Sequence, residues 1–414
     1  MASGRVELAS VGVQDEFITG QPQITFFLKN FKRHSKFALD TIDNNFDGNT
    51  SFGQVARGTI PRKGHLIKTI YLKVELSAIN TADSSNVGYT DSIGHAMIDW
   101  ADLIIGGQTV ERITGEYMEM YSDLYMSDSQ QEGLKYTVGK TGTTTGLGPA
   151  SSTTSHTFGT YPRICLIPLP FYFYRETGLS IPICALTKHE VEVHVKFKEF
   201  DKLIVSDLSI PTNTTGSIIR ASMPVEYAFI TPEEIAYFQS RPIDYVISQL
   251  QISRTTIDAN ETEKVIRLNF VNPVKELFLV IQSQMTDNNV FDFRNLENVT
   301  NPVNEHLSTL NLTFNGQDRI SEEMCNGLYM HYIQPMAHHT RTPTRFFYSY
   351  SFALQPERSV PTGQVNMSRI VNKLLKITTT NSTKARDVRI YAVNLNILRV
   401  EHGLAGVIFN DNGK

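Results

Sequence analysis

Residues 189–197 read HEVEVHVKF, and the apolar side chains at positions 191, 193, 195 and 197 alternate with polar ones. An alternation with a period of two places the apolar side chains on one face of an extended chain, so this stretch predicts a half-buried β-strand. The same alternation recurs in residues 70–76, 266–270, 310–314 and 391–397. Clusters of Gly, Pro, Asn and Ser separate these stretches and helical signals are scarce, which predicts antiparallel sandwiches or barrels.

The composition is that of a folded globular protein. Of the 414 residues, 41% are hydrophobic and 19% are charged, which suits two or three ordinary domains or one unusually large domain. Lys and Arg number 38 against 42 Asp and Glu. The net charge of −4 offers no polycationic surface of the kind that coats a genome, so we expect no direct nucleic-acid binding.

Targeting and disulfide signals are weak. The three cysteines, Cys165, Cys184 and Cys325, are too few for a disulfide framework. The first sixteen residues lack the apolar core of a signal peptide. The longest uncharged apolar run, residues 164–174, has only eleven residues and contains two prolines, so it is too short to span a bilayer as a helix. These features favour a soluble chain in a reducing compartment.

Two segments carry helical signals. Thr231, Pro232 and Glu234 form the start of a helix, with Thr231 at the N-cap and Glu234 able to complete a capping box. Residues 225–242 around this helix are therefore expected to connect two β domains. A second candidate is Tyr117–Tyr125, whose aromatic residues share one face at helical spacing. We interpret that stripe as core packing rather than as a binding site.

The two halves of the chain contain a related motif. Residues 103–108 read LIIGGQ and are followed by ERI, whereas residues 312–317 read LTFNGQ and are followed by DRI. Each predicts a strand, a tight turn built on residues that tolerate positive φ, and a second strand. Their placement about the connector suggests two copies of one fold. Residues 126–160, rich in Gly, Ser and Thr, are expected to form a flexible surface loop of the first domain, and the alternative is a folded binding site.

The sequence predicts no catalytic, cofactor-binding or metal site. Gly139 and Lys140 lack the upstream glycine of a phosphate-binding loop, because position 134 is leucine. His189 and His194 lie five residues apart in a predicted strand, so they would point to opposite faces and could not share a metal ion. The adjacent His338 and His339 are expected to face solvent. No nucleophile motif surrounds any serine or cysteine.

Several stretches, in order along the chain, resemble the major capsid proteins of nucleocytoplasmic large DNA viruses, in particular those of algal viruses. In the first half they are residues 20–27 (GQPQITFF), 33–38 (RHSKFA), 167–173 (IPLPFYF) and 178–191 (GLSIPICALTKHEV). In the second half they are residues 314–319 (FNGQDR), 348–356 (YSYSFALQP), 361–363 (PTG), 366–370 (NMSRI) and 398–406 (LRVEHGLAG).

This resemblance implies an all-β fold of two tandem eight-stranded antiparallel jelly rolls joined by a short helical connector. It divides the chain into an N-terminal arm (1–24), a first jelly roll (25–224), the connector (225–242), a second jelly roll (243–404) and a C-terminal tail (405–414). No cofactor is expected. The implied function is structural, as the major capsid protein of the virion shell.

The partners that the resemblance implies are copies of the chain and other capsid proteins. The chain would form a homotrimer with a pseudo-hexagonal outline, and this capsomer would contact neighbouring capsomers in an icosahedral shell. Residues 1–21 would contact minor capsid proteins on the inner side of the shell. The resemblance also allows an indirect apposition of the shell to an internal membrane. Assembly is expected in the host cell cytoplasm.

Two aromatic runs are candidate packing surfaces. Residues 171–174 (FYFY) and 346–350 (FFYSY) have aromatic side chains at consecutive positions, so in a strand they would occupy both faces. One face would fill the core of its own roll, and the other would pack on the second roll or on a neighbouring subunit. Two alternatives to a capsid subunit are a receptor- or carbohydrate-binding, spike-like jelly-roll protein and a metal-dependent enzyme of the cupin type.

Overall fold

The structure is a computed structural model, and it describes residues 3–29, 31–80, 87–140, 162–206, 213–284, 290–295, 297 and 305–409. The chain divides after Lys36 into an N-terminal unit and a main unit that begins at Phe37. Among the described residues, no helix combines the length and the apolar character that a membrane span requires.

The N-terminal unit contains two short helices, Ser3–Ala9 (α1) and Val13–Thr19 (α2). The side chain of Asp15 accepts the backbone N–H of Gly12 at 3.0 Å, which fixes the start of α2. Neither helix has a buried residue. The apolar side chains of these helices, such as Phe17 and Ile18, are therefore exposed.

The first half of the main unit contains two four-stranded antiparallel sheets. One sheet consists of Ala38–Asn45 (β1), Ile218–Phe229 (β10), Leu66–Leu76 (β3) and Arg163–Pro168 (β7), in that spatial order. The other consists of Val55–Thr59 (β2), Val191–Phe197 (β8), Ile98–Ile105 (β5) and Gln108–Thr114 (β6). A separate pair is formed by Val87–Tyr89 (β4) and Ile204–Ser206 (β9).

The second half repeats this arrangement. One sheet consists of Ile243–Ile257 (β11), Arg386–Glu401 (β19), Pro273–Ser283 (β13) and Tyr348–Ser351 (β16), with Val365–Asn366 (β17) paired to β13 and Leu404–Val407 (β20) paired to β19. The other consists of Glu263–Arg267 (β12), Lys373–Thr379 (β18), Leu307–Phe314 (β14) and Gln317–Ile320 (β15).

The two halves share one strand connectivity. Counting the eight main strands of each half in chain order, one sheet has the order 1-8-3-6 and the other has the order 2-7-4-5 in both halves. This is the connectivity of a jelly roll, in which two Greek-key motifs form two facing sheets. The predicted fold of two tandem eight-stranded jelly rolls is confirmed.

The related motifs of the two halves occupy equivalent hairpins. In the first roll, Gly106 and Gly107 have φ of 59° and 79° and join β5 to β6; in the second, Asn315 and Gly316 have φ of 49° and 84° and join β14 to β15. Positive φ at both central residues is the requirement of a type I′ turn, which only Gly and Asn meet readily. The predicted repeat is therefore confirmed at these turns.

The connector between the rolls contains the predicted helix, Pro232–Ser240 (α6), with Thr231 at its N-cap. The cap side chain makes no hydrogen bond, so the expected capping box with Glu234 does not form. Strand β10 runs on to Phe229, where it pairs with Ala38, and therefore occupies the first five residues of the expected connector. Strand β20 likewise extends the second roll into the expected C-terminal tail.

The remaining helices lie between strands of the rolls. They are Ile93–Ala96 (α3), Gly115–Tyr125 (α4), Asp128–Thr137 (α5) and Gln334–His338 (α7), with a π-helix at Tyr329–Ile333 and 3₁₀ turns at Thr177–Leu179, Phe200–Leu203 and Met367–Arg369. Helix α5 corrects the expectation of a loop over 126–160, because Gln130 accepts the Ser127 N–H at 2.9 Å and caps it. Residues 141–160 lie outside the described residues.

Both faces of the larger sheet of the second roll are buried. Along β13, Leu277, Leu279 and Ile281 belong to a hydrophobic cluster inside the second roll, whereas Phe278 and Val280 belong to a cluster shared with the first roll. Strand β19 behaves in the same way, so the expectation of a half-buried strand at 391–397 is wrong. The outer face of this sheet is the surface on which the first roll packs.

Candidate functional site at the junction of the two rolls

Helix α4 lies at the junction between the rolls. It follows β6 directly, and Thr114 caps its first turn by accepting the Tyr117 N–H at 3.2 Å. Gly115 occupies a position with no room for a side chain, because a Cβ there would lie 2.1 Å from the carbonyl oxygen of His95. Ten of the eleven residues of α4 are buried, which confirms that its aromatic stripe is core packing.

The aromatic stripe of α4 contacts the second roll. The ring of Tyr117 lies 6.3 Å from that of Phe278, and the ring of Tyr125 lies 5.4 Å from that of His339. Aromatic pairs at these separations attract each other beyond the area that they bury. The stripe therefore joins the two rolls within one chain.

The acidic residues of α4 form a buried ionic network with the second roll. Glu119 is fully buried and accepts hydrogen bonds from His95 Nδ1 at 2.8 Å and from Arg345 Nε at 3.2 Å. Lys140 Nζ lies 3.2 Å from the same carboxylate. Arg345 belongs to the second roll and also contacts the carboxylate of Asp91. Arg345 therefore joins the carboxylates of the first roll to the second roll through buried ion pairs.

Asp123, one turn after Glu119, fixes the backbone of the second roll. Its carboxylate accepts the Thr344 N–H at 2.6 Å, the Thr344 hydroxyl at 2.8 Å and the Arg345 N–H at 3.0 Å. Lys140 Nζ donates to it at 3.3 Å. A carboxylate with this many donors is well satisfied although none of its surface is exposed.

The pKa shifts in the network agree with this geometry. Burial alone would raise the pKa of Glu119, but Lys140, His95 and Arg345 outweigh it and hold that pKa well below its usual range. Burial also opposes the charge on Arg345, yet Asp91 and Glu119 raise the pKa of its guanidinium. Both groups are therefore charged in the folded protein.

A second polar cluster surrounds His339. Its side chain is only 1% exposed and lies 3.5 Å from the carboxylates of both Glu276 and Glu357. The Tyr125 hydroxyl of the first roll donates to Glu276. The expectation of a solvent-facing histidine is therefore wrong for His339, because the loop after α7 folds back onto the junction. His338 is partly exposed, and its Nδ1 lies 3.1 Å from the carbonyl oxygen of Leu354.

A cleft of about 360 Å³ opens between the rolls beside this cluster. Glu111 lies in its wall and accepts the Tyr172 N–H at 2.8 Å. Burial raises the pKa of Glu111 to about 8, against the opposing effects of this hydrogen bond and of Lys275. Burial lowers the pKa of Lys275, whose Nζ donates to the Pro356 carbonyl at 2.7 Å. The ionisable groups of Glu111 and Lys275 are therefore each held by a hydrogen bond to the backbone, and they do not converge on a common point in the cleft.

The two aromatic runs differ in structure. In 346–350, Phe347 joins the cluster shared with the first roll, whereas Tyr348 and Tyr350 fill the core of the second roll. This confirms the two-face expectation, and the outer partner is the other roll of the same chain. The run 171–174 lies in a turn and not in a strand, because Pro168 and Pro170 end β7.

The remaining residues that the sequence analysis considered for phosphate or metal binding do not lie together in the structure. Lys140, beside the rejected phosphate loop, is used in the ionic network. His189 precedes β8, so the expectation that it lies within the strand is wrong. Its Nδ1 lies 3.1 Å from the Ala405 carbonyl. His194 lies within β8 and pairs with Glu192 at 3.0 Å. Across the described part of the chain, no three His, Cys, Asp or Glu side chains converge as a metal site.

Sequence reasoning did not identify the ionic network, although a signal was present. Glu119 and Asp123 interrupt an otherwise apolar and aromatic helix, YMEMYSDLY, at a spacing of four residues. Carboxylates on the buried face of a helix need cationic or N–H partners from elsewhere in the fold. What the sequence could not supply was the identity of those partners, since Arg345 lies more than 220 residues away.

The arrangement is suited to rigid association. Two rolls of equal topology are joined by packed aromatic rings and by a buried ionic network to which Arg345 of the second roll contributes, so the chain defines a double jelly-roll protein.

Comparison with known proteins agrees with this class. Residues 25–233 match the family model described as the major capsid protein N-terminus, and residues 234–406 match the model described as the large eukaryotic DNA virus major capsid protein. The chain belongs to this family of major capsid proteins. It is therefore a structural protein of the viral capsid and not an enzyme, and the capsid of the virion is its location.

Individual relatives span the whole chain. It is 29% identical to the major capsid protein of Pyramimonas orientalis virus and 27% identical to that of Paramecium bursaria Chlorella virus 1, in each case over 99% of this chain and 100% of the relative. The crystal structure of VP54 from PBCV-1 matches 93% of this chain and 100% of its own with a TM-score of 0.75 and 24% identity. The Faustovirus major capsid protein matches with a TM-score of 0.74, 12% identity and 96% coverage of each chain.

Proposed function

We propose that the protein assembles as a homotrimer, whose six jelly rolls form a pseudo-hexagonal capsomer. The observation that supports this is the repetition of one roll connectivity within a chain. Three chains with two equivalent rolls each supply six similar wedges around one axis, and closed rotational symmetry is the usual form of a homo-oligomer. The rigid junction described above fixes the angle between the two wedges of each chain.

In this proposal the functional domains are the two rolls, which end at Phe229 and Val407, with the α6 connector between them. The capsomers contact neighbouring capsomers in an icosahedral shell that assembles in the host cytoplasm. The arm, residues 1–21, contacts minor capsid proteins at the inner face of the shell. These minor proteins lie between the arm and any internal membrane. The exposed apolar side chains of α1 and α2 support a role for the arm in protein contacts.

The oligomeric state tests this proposal. Multi-angle light scattering of the purified chain should give three times the chain mass of 46.6 kDa, and negative-stain images should show a hexagonal outline. A stable monomer or dimer across the micromolar range would contradict it. A chain shortened by residues 1–21 should remain a trimer, since the arm is assigned to contacts outside the capsomer.

A further inference from the structure

The last part of the N-terminal unit has an unusual surface. We call residues 26–29 (FFLK) and 31–36 (FKRHSK) the basic–aromatic segment. Phe26, Phe27, Leu28 and Phe31 are 92%, 99%, 63% and 80% exposed. The segment lies in neither helix nor strand. It therefore presents four large apolar side chains to the surroundings without a fold of its own to bury them.

The charged side chains of this segment, with His neutral, are all cationic. Lys29, Lys32, Arg33 and Lys36 are all exposed, and no carboxylate occurs between Glu16 and Asp40. Residues 17–39 thus carry a charge of +4 with His neutral. Because the whole chain carries −4, the remaining residues carry −8. The cationic charge is therefore local and is not part of a generally basic surface.

Cationic and apolar side chains lie close together along this segment. Such a mixture fits the surface of an anionic bilayer, where Lys and Arg meet the headgroups and Phe and Leu enter the acyl boundary. Single-stranded nucleic acid also attracts basic and aromatic residues, but its binding sites are grooves that follow the backbone. The segment lies outside the helices and strands that build such a groove, and Leu28 offers no face for base stacking. The chemistry therefore favours lipid.

We propose that the basic–aromatic segment binds the surface of bilayers that contain anionic lipids. The Lys and Arg side chains supply an attraction that salt screens, and the phenylalanines supply shallow insertion. This goes beyond the proposed capsomer, because lipid contact by the basic–aromatic segment would be direct and does not depend on the number of chains in the assembly.

Flotation of the full-length protein with vesicles tests the proposal. Vesicles of phosphatidylcholine with 30% phosphatidylserine should bind at least about tenfold more protein than phosphatidylcholine alone at 0.1 M salt, and 0.5 M salt should remove most of the binding. The quadruple variant Lys29→Gln/Lys32→Gln/Arg33→Gln/Lys36→Gln should lose the preference for phosphatidylserine. The triple variant Phe26→Ser/Phe27→Ser/Phe31→Ser should bind several-fold more weakly at both salt concentrations.

A matched control separates local from overall charge. Lys188→Gln/Lys202→Gln/Arg267→Gln/Arg369→Gln removes four exposed cations from the main unit and should bind vesicles like the wild type. Equal losses in the two quadruple variants, or no vesicle binding at all, would overturn the proposal. So would tighter binding to a single-stranded oligonucleotide that the same segment variants abolish. Light scattering of each variant reports on the trimer separately.

Discussion

Asp123 shows how much one buried residue contributes to the junction. Its carboxylate accepts three hydrogen bonds from the second roll and one from Lys140. Asp123→Asn keeps the shape of the side chain but removes a negative charge that stabilises the positive charges of Arg345 and Lys140. Removing one partner of a buried ion pair costs about 3–5 kcal/mol. Urea unfolding should show a loss of this order. Asp128→Asn, at a side chain that is 91% exposed, is the control and should change stability by less than about 0.5 kcal/mol.

Glu111 provides a pH-dependent prediction. Burial raises its pKa to about 8 in the folded protein, whereas an unfolded glutamate titrates near 4.3. Between about pH 4.3 and 8 the folded state binds one proton more at this carboxyl than the unfolded state does. The stabilisation that results from the raised pKa is therefore complete below about pH 4.3 and is lost as the pH rises towards 8. The stability of Glu111→Gln relative to wild type should therefore increase by up to about 1.4 kcal/mol per pH unit from pH 5 to 8.

Urea unfolding of wild type and Glu111→Gln at pH 5, 6.5 and 8 measures this difference directly. Because the variant removes one titrating group, the contributions of all other groups largely cancel in the comparison. A difference that stays constant over this range would show that Glu111 is not held protonated in the folded protein.

At the scale of elements, two glycines in neighbouring helices should respond oppositely to one substitution. Gly115→Ala in α4 would place a Cβ 2.1 Å from the His95 carbonyl oxygen and 2.4 Å from that of Ile98, so we expect destabilisation of more than about 2 kcal/mol by overpacking. Gly133 in α5 has open space around it. Gly133→Ala should stabilise by about 0.5–1 kcal/mol through helix propensity. Thermal unfolding of both variants tests this contrast, and equal effects would contradict it.

The strands could be predicted from sequence because their burial is local and periodic. In β8, for example, every second side chain from Val191 to Phe197 is buried and those between are partly exposed. The turns at Gly106–Gly107 and Asn315–Gly316 were predictable for a similar reason, since backbone conformation there depends on the residues themselves.

Features that depend on distant contacts could not be predicted in this way. His339 lies in a polar stretch of sequence but is buried by Tyr125, more than 200 residues earlier. Strand β13 looks like any apolar strand, although its two faces serve two different cores. The period of a pattern identifies a face of an element, but the partner of that face is a property of the tertiary fold.

For the whole molecule, the shared hydrophobic cluster implies that the two rolls unfold together. Phe278, Phe347 and Tyr391 of the second roll pack in the same cluster as Ile98 and Leu103 of the first. If the second roll opened, these first-roll side chains would lose apolar contacts and the charges on α4 would lose Arg345. Opening one roll therefore removes stabilisation from the other, which is the condition for a cooperative transition.

The single tryptophan makes this testable. Trp100 lies in β5 of the first roll, beside a cleft that Leu250 and Ile252 of the second roll also line, so its fluorescence reports on the first roll and on this part of the junction. Leu312→Ala removes a fully buried side chain from the core of the second roll and should cost about 2–5 kcal/mol. We expect the Trp100 transition in urea to move to lower concentration together with the far-ultraviolet circular dichroism. Val265→Ala, at a side chain 59% exposed in the same sheet, should leave both nearly unchanged. A Trp100 transition that stays at its wild-type midpoint in Leu312→Ala would mean that the rolls unfold independently, because their junction would then carry too little free energy to couple them.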